Sequence, residues 1–165
     1  MRIGIVSDTH MSPKVARLPN ALVEGLQGVE LILHIGDWTS LHVAGMMEEI
    51  APVDGVAGNN DGLEIRERFG RKKVLSIAGF RIGMVHGDGS RKTTEQRAWE
   101  AFEGEQVDVI LFGHSHIPFM ERRGEVLMFN PGSPSDKRRQ PKYSYGILEL
   151  EGTIRAQHYY YESKA

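Results

Sequence analysis

The stretch VILFGHSHIP, residues 109–118, begins with a short apolar run and continues with two histidines separated by one residue. The run Val109–Phe112 predicts a buried strand, and the glycine before His114 and the proline after His116 indicate that the chain turns there. A single histidine in such a place is more often a packed structural residue than a ligand. The pair therefore indicates chemistry only if other parts of the chain supply partners.

The same pattern, a predicted strand followed by oxygen or nitrogen donors, occurs at four more places in the chain. The donors are Asp8 and His10 after Ile3–Val6, Asp37 after Leu31–Leu33, Asn59 after Val53–Val56, and His86 after Ile82–Val85. Each donor could be explained alone by a turn or a cap, and His34 shows that the chain also places a histidine within a strand. The carboxyl ends of parallel strands share one edge of a sheet, where ligands bind. Five such strand ends therefore favour one common site.

The remaining apolar runs complete a chain of strands and helices that ends in consecutive strands. Further strands are predicted near Val74–Ile77, Phe119–Arg122, Val126–Phe129, Tyr145–Leu150 and Ile154–Tyr160. Helices are predicted near Pro19–Leu26, Leu41–Ile50 and Thr94–Phe102, with Pro19 as the first helical residue and a capping box formed by Thr93 and Gln96. Strands joined through helices run parallel and hairpin strands run antiparallel. We therefore expect an α/β fold with mixed sheets.

Length and composition narrow the class of protein. A chain of 165 residues is expected to form one domain, residues 1–165, with a core that needs no disulfide or structural metal. The absence of cysteine excludes disulfides and thiolate chemistry. No apolar run approaches the length of a membrane-spanning helix or forms a signal peptide, so a cytoplasmic location is expected. The net charge of −2 argues against non-specific binding of long nucleic acids.

The number and type of the donors indicate a metal site with two ions. Seven donors exceed what one tetrahedral ion takes, whereas two divalent ions that share one carboxylate would use all of them and keep positions for water and substrate. Asp8 and His10 are separated by one residue, so the curvature of their loop decides whether both face the same ion. The glycines at positions 36, 58, 87 and 113 would allow the backbone to pass close to the ions.

Read in order, the blocks DTH, GD, GNND, HG and GHSH, with NPGSPS at 130–135, resemble those of calcineurin-like metallophosphoesterases. The spacing is similar to that of the small single-domain YfcE-type phosphodiesterases. This resemblance implies a four-layer sandwich of two mixed β-sheets flanked by helices. It also implies that Asp8, His10 and His116 hold one metal, that Asn59, His86 and His114 hold the second, and that Asp37 bridges them.

The implied activity is hydrolysis of phosphodiester bonds by attack of a metal-bridging hydroxide on phosphorus. Two divalent ions and two aspartates leave an inner shell near +2, which suits an anionic phosphoryl group. Nitrogen and oxygen ligands rich in imidazole suit manganese, which we favour, or nickel, iron and zinc, better than magnesium. The expected substrate is a small phosphate ester.

Asp37, Asn59, Asn60 and Asp61 are the candidate catalytic residues. Larger members of the family that this chain resembles carry a histidine directly after the ligand asparagine, and Asn60 occupies that position here. An asparagine cannot protonate a leaving group, so no general acid is assigned. Asp61 would orient the loops around the metals, or would serve as a turn or helix-cap carboxylate.

Several alternatives remain open at this point. A phosphomonoesterase could use the same site, and a non-catalytic scaffold like the retromer subunit of this fold would bind partners instead of substrate. Trp38 would pack in the core or stack on a substrate ring. The segment HGDGSRKTT lacks the spacing of a nucleotide-binding P-loop, and Arg138 and Arg139 are expected in a solvated loop. No membrane or duplex nucleic acid is expected as a partner, and the tyrosines near the end leave a homo-oligomer open.

Overall fold

Ten strands form two five-stranded sheets in the computed structural model, which describes all residues 1–165. The strands are β1 (Arg2–Val6), β2 (Leu31–His34), β3 (Val53–Gly55), β4 (Lys72–Ile77), β5 (Phe80–Val85), β6 (Val109–Leu111), β7 (Phe119–Arg123), β8 (Val126–Asn130), β9 (Tyr143–Leu150) and β10 (Ile154–Tyr161). The helices are α1 (Asn20–Gly25), α2 (His42–Glu48), α3 (Leu63–Phe69) and α4 (Thr94–Ala101). None of the helices is long and apolar enough to cross a membrane.

Both sheets are mixed, as predicted. The first sheet has the order β10-β9-β1-β2-β3 and the second has the order β4-β5-β6-β8-β7. In the first sheet β1, β2 and β3 run parallel, and in the second β5, β6 and β8 run parallel. The hairpins add antiparallel strands at the edges. Each sheet therefore has three parallel strands whose carboxyl ends lie at one edge.

Three apolar cores separate four layers, which confirms the expected sandwich. Ile3 and Ile5 from β1 face the second sheet, where they pack in one core with Ile82 and Leu111. On the opposite face of the first sheet, a second core joins β1 to α1, α2 and α3. A third core lies between the second sheet and α4. Each fully buried Leu or Ile contributes about 1.5–3 kcal/mol from burial of its side chain.

The structure corrects the sequence predictions in three places. The sequence pattern does not predict α3, which has two turns, buries only Ile65 and Phe69, and begins after Gly62 without a side-chain cap. Pro19 is not the first helical residue of α1, because its extended ψ of 137° places it at the cap position before the helix. Thr93 caps α4 by accepting a hydrogen bond from the Gln96 backbone N–H at 3.2 Å, but the reciprocal bond of a capping box is absent.

Candidate metal centre

The loops after the parallel strands bring the predicted ligands to one place, and their backbone is unusual there. Positive φ angles occur at Asp8 (57°), His10 (46°), Asp37 (59°), His114 (68°) and His116 (63°). Residues other than glycine rarely adopt this left-handed backbone region, and residues held in it cluster at functional sites. In Asp8-Thr9-His10 and His114-Ser115-His116 the left-handed turns replace the alternation of an extended chain. The curvature therefore allows Asp8 and His10 to face the same centre.

The first group of ligand atoms comes from Asp8, His10 and His116. Asp8 Oδ1 lies 3.4 Å from His116 Nε2 and 3.7 Å from His10 Nε2. The rings of His10 and His116 stand 5.0 Å apart between their centroids. These are the three residues that the family resemblance assigns to one metal.

The second group comes from Asp8, Asp37 and His86. Asp37 Oδ2 lies 3.3 Å from His10 Nε2 and 3.3 Å from His86 Nε2. Asp37 therefore stands between a histidine of the first group and a histidine of the second, where a bridging ligand would lie. Asp8 is also close to His86, with 3.6 Å between Oδ1 and Nε2.

Asn59 and His114 lie beside these two groups rather than within them. Asn59 is exposed, and its Oδ1 accepts a hydrogen bond from His114 Nδ1 at 3.2 Å. The His114 ring stands edge-on to His86 with 5.3 Å between centroids. The backbone N–H of His114 donates to Asp8 Oδ2 at 2.9 Å. With Ser7 on the same oxygen at 2.7 Å, this leaves Asp8 Oδ1 for the centre.

Four polar atoms at the centre are buried and make no hydrogen bond: Asp8 Oδ1, His10 Nε2, His86 Nε2 and His116 Nε2. A buried polar atom without a partner costs free energy, so native proteins nearly always supply one. Three imidazole nitrogens lie within 3.7 Å of one carboxylate oxygen, Asp8 Oδ1, and these are donor types that bind divalent transition metals. These residues therefore fit a metal ion.

The far nitrogens of two histidines set their tautomers. His86 Nδ1 donates to the backbone carbonyl of Ile35 at 2.7 Å, and His116 Nδ1 donates to that of Asp136. Each neutral ring then presents an unprotonated Nε2 to the centre, as a metal-binding histidine must.

The electrostatics show what the centre lacks without a cation. Burial by itself lowers the pKa of His10 and His86, but the carboxylates of Asp37 and Asp8 outweigh burial and raise both to about 9. Burial would raise the pKa of Asp8 and of Asp37, but the surrounding histidines hold both below the usual range. Protons on His10 and His86 thus take the place that divalent cations would fill.

Asp61 and Asn60 hold the loop that carries Asp37. Asp61 Oδ2 accepts from the N–H of Asp37 at 2.8 Å and of Gly58 at 2.7 Å, and its Oδ1 accepts from Thr39 N–H at 2.8 Å. Asp61 is therefore a loop-orienting carboxylate and does not cap α3. Asn60 binds Asp37 directly through its backbone and side-chain amides.

Two glycines allow close approach of the backbone to the carboxylates. A Cβ at Gly58 would lie 2.2 Å from Asp37 Oδ1, and a Cβ at Gly113 would lie 2.7 Å from Asp8 Oδ2. Any larger residue at either position would displace a carboxylate of the centre.

Sequence reasoning missed the residues that hold the Asp8 and His114 loops from behind. Ser133 donates to the Asp8 carbonyl at 2.8 Å, and Asn130 Nδ2 donates to the Gly113 carbonyl at 3.0 Å. Both lie in NPGSPS at the end of β8, which is parallel to β6. Polar residues at the end of this strand, as at the five others, could have identified Asn130 and Ser133 from the sequence.

Trp38 is a packing residue, and the other open features stay outside the centre. Its side chain is fully buried, stacks between His34 and Phe69, and donates to the Val56 carbonyl at 2.9 Å. Arg138 and Arg139 are exposed in a loop, as expected.

Residues 1–153 match the family model described as calcineurin-like phosphoesterase superfamily domain. A probable metallophosphoesterase of Methanothermobacter thermautotrophicus is 37% identical over 156 residues, which span 92% of this chain and 87% of the relative. A protein named as a phosphodiesterase in Methanocaldococcus jannaschii is 30% identical over 149 residues, 80% of this chain and 83% of the relative.

A solved structure of Vps29 from Chaetomium thermophilum superposes with a TM-score of 0.78 and covers 98% of both chains. Its sequence identity is 16%, so this likeness concerns the fold alone.

Proposed function

The chain belongs to the calcineurin-like phosphoesterase superfamily, and on that premise we propose that it hydrolyses small phosphodiesters with two divalent metal ions. As a member of this family it is a metal-dependent hydrolase of phosphate esters. The observation that carries the proposal is the set of four buried, unpartnered ligand atoms on Asp8, His10, His86 and His116.

The ligand arrangement follows the loops. Asp8, His10 and His116 would hold one ion, Asn59, His86 and His114 would hold the other, and Asp37 would bridge them. The equal distances from Asp37 Oδ2 to His10 and His86 support the bridging role. Asn59 and His114 would have to exchange their mutual hydrogen bond for a shared ion.

Bound there, divalent ions supply a water of lowered pKa and positive charge that stabilises the phosphoryl oxygens. The chain itself contributes orientation and charge. Two ions offset by the carboxylates of Asp8 and Asp37 leave the centre near +2, which attracts an anionic ester. Asn60 fixes Asp37 but has no proton to give to a leaving group. We therefore expect efficient cleavage only of esters whose leaving group is a good one, such as an aryl oxide.

Two cavities near the candidate ligands offer space for the substituents of a substrate. The first, which we call the His10 cavity, has a volume of about 250 Å³ and is lined by Thr9, His10 and Met11 among others. The second, the Ser115 cavity, has a volume of about 400 Å³ and reaches the residue between His114 and His116. No residue lines both cavities. A phosphodiester needs space for two substituents, whereas a monoester needs space for one.

We propose Mn²⁺ as the metal, with nickel, iron and zinc as competitors, because the donors are imidazole, carboxylate and amide groups without thiolate.

The test is hydrolysis of bis(p-nitrophenyl) phosphate by enzyme stripped with a chelator and then titrated with Mn²⁺. Wild type should recover turnover with added metal, and His116→Gln should not. Glu125→Gln is the control, because Glu125 is exposed in the turn between β7 and β8, away from the ligand groups and from both cavities. Turnover that is absent with every metal, despite metal binding, would instead favour the scaffold hypothesis. Faster cleavage of p-nitrophenyl phosphate than of the diester would favour a monoesterase.

A further inference from the structure

The His10 cavity carries a charge pattern that the metal centre does not use. Arg17 and Lys164 both line this cavity and no acidic side chain does, while Ala165, the last residue, contributes backbone to its rim. Both cations are exposed and form no salt bridge or side-chain hydrogen bond within the protein, although Lys164 Nζ lies 5.8 Å from the centroid of the Tyr143 ring. Arg17 also borders a neighbouring depression that contains Glu49, without pairing with that carboxylate.

The other cavities are different in this respect. In the Ser115 cavity Lys92 pairs with Glu100 at 2.6 Å, and Arg97 donates to the carbonyls of Gly87, Arg91 and Lys92. A larger cavity of about 470 Å³, lined by residues of β7 to β10, contains both Arg155 and Glu149, which pair at 3.1 Å. Of these three cavities, the His10 cavity is the one that combines two cations without a salt bridge and a wall formed by a predicted ligand.

The wall of the His10 cavity is held in place before any ligand binds. Thr39 Oγ1 donates to the Met11 carbonyl at 2.8 Å, and His42 Nε2 donates to the Val15 carbonyl at 2.9 Å. Met11 and Leu18 are buried and form an apolar side of the cavity. A volume of about 250 Å³ is smaller than that of a typical site for a whole ligand, so the cavity would hold one part of a substrate.

We propose that the His10 cavity binds a second phosphate group of the substrate, so that the preferred substrates are diesters with an additional phosphomonoester, as in a phosphorylated nucleotide. Arg17 and Lys164 attract the negative charge of a phosphomonoester near neutral pH, and arginine suits phosphate geometry. This inference rests on the proposed phosphodiesterase function, because it describes the specificity of the same site.

The experiment compares two chromogenic substrates that differ by one phosphate: thymidine 5′-(p-nitrophenyl phosphate) and its 3′-phosphorylated counterpart. With Mn²⁺ present, wild type should show a kcat/KM about tenfold higher for the phosphorylated substrate, the gain expected from one or two charge-assisted contacts. Arg17→Met and Lys164→Met should each reduce this ratio, and the double variant should bring it close to one. Lys14→Met removes an exposed charge from the same loop, outside the cavity, and should leave the ratio unchanged.

Calorimetry supplies a readout that does not depend on turnover. Thymidine 3′,5′-bisphosphate should bind the Mn²⁺ form of wild type more tightly than thymidine 5′-monophosphate, and Arg17→Met should lose this difference. Equal kcat/KM for the two substrates, or a preference that survives in the double variant, would overturn the inference and leave the phosphodiesterase proposal intact. If neither substrate nor bis(p-nitrophenyl) phosphate is cleaved with any metal, the proposed function itself fails.

Discussion

Asn60 donates to both carboxylate oxygens of Asp37, from its backbone N–H to Oδ1 and from its side-chain amide to Oδ2, each at 2.9 Å. Asn60 itself is exposed and offers no titratable proton. Its role is therefore to fix the orientation of the carboxylate that stands between the two ligand groups.

Asn60→Ala should weaken Mn²⁺ binding by about tenfold and lower kcat, because it keeps the backbone bond to Asp37 and removes the side-chain bond. Calorimetric titration of chelator-treated protein measures the affinity. Asn20→Ala, at an exposed position that begins α1, is the control. An unchanged affinity in Asn60→Ala would show that Asp37 needs no such support.

Asp61→Ala should destabilise the metal-free protein by about 2–4 kcal/mol, since the backbone N–H groups of Asp37, Gly58 and Thr39 lose their acceptor. Urea denaturation in the presence of a chelator measures the free energy of unfolding. Glu48→Ala, which removes an exposed ion pair with Arg68, should cost less than about 1 kcal/mol. Equal losses in the two variants would refute the orienting role of Asp61.

Metal binding should release protons. Asp37 and Asp8 raise the pKa values of His10 and His86 to about 9 against the effect of burial. Without metal, both rings are therefore protonated on both nitrogens and cationic near pH 7. A histidine must be neutral to bind a metal, so the apparent affinity for Mn²⁺ should rise as the pH increases towards about 9.

The raised pKa values of His10 and His86 also make the stability of the metal-free protein depend on pH. A raised pKa in the folded state stabilises the metal-free protein below the unfolded value of 6.5, and this contribution disappears as the pH rises through about 9. Thermal stabilisation by Mn²⁺ should therefore be larger at pH 9 than at pH 7.

Proton release on Mn²⁺ binding is measured by calorimetry in two buffers of different ionisation enthalpy. A binding heat that does not depend on the buffer at pH 7 would contradict the protonation of His10 and His86.

The sequence could predict the strands and the donors at their ends, because strand periodicity and the common edge of parallel strands are local and topological rules. It could not predict α3, since two buried residues in Leu63–Phe69 give a weak helical signal and Gly62 gives no polar cap. The bounds also shifted where charge masks a strand, as at Lys72 and Lys73 in the edge strand β4.

The details of the candidate site depend on contacts between distant parts of the chain. The tautomers of His86 and His116 are set by the carbonyls of Ile35 and Asp136, which no local pattern identifies. The left-handed backbone at Asp8 and Asp37 also arises from the packed loops and not from a glycine. Both cavities are lined by residues from separate segments of the chain, so the proposed site for a second phosphate group could not be predicted from the sequence.

Gly58 and Gly62 lie in the same loop but differ in the space around them. Gly58 has no room for a side chain, whereas Gly62 does. A Cβ at Gly58 would lie 2.2 Å from Asp37 Oδ1 and 2.5 Å from the Asp37 backbone nitrogen, so neither a side-chain rotation nor a small shift can relieve the contact. A Cβ at Gly62 would meet no atom within 4 Å, and its φ of −80° suits any residue.

Gly58→Ala should therefore displace Asp37, abolish Mn²⁺-dependent turnover, and destabilise the protein by about 1–3 kcal/mol. Gly62→Ala should retain turnover and lose less than about 1 kcal/mol from the start of α3. Mn²⁺ titration and urea denaturation of the two variants measure both effects. Wild-type metal affinity in Gly58→Ala would mean that the position of Asp37 is not what the centre requires, because this substitution moves that carboxylate without changing any ligand.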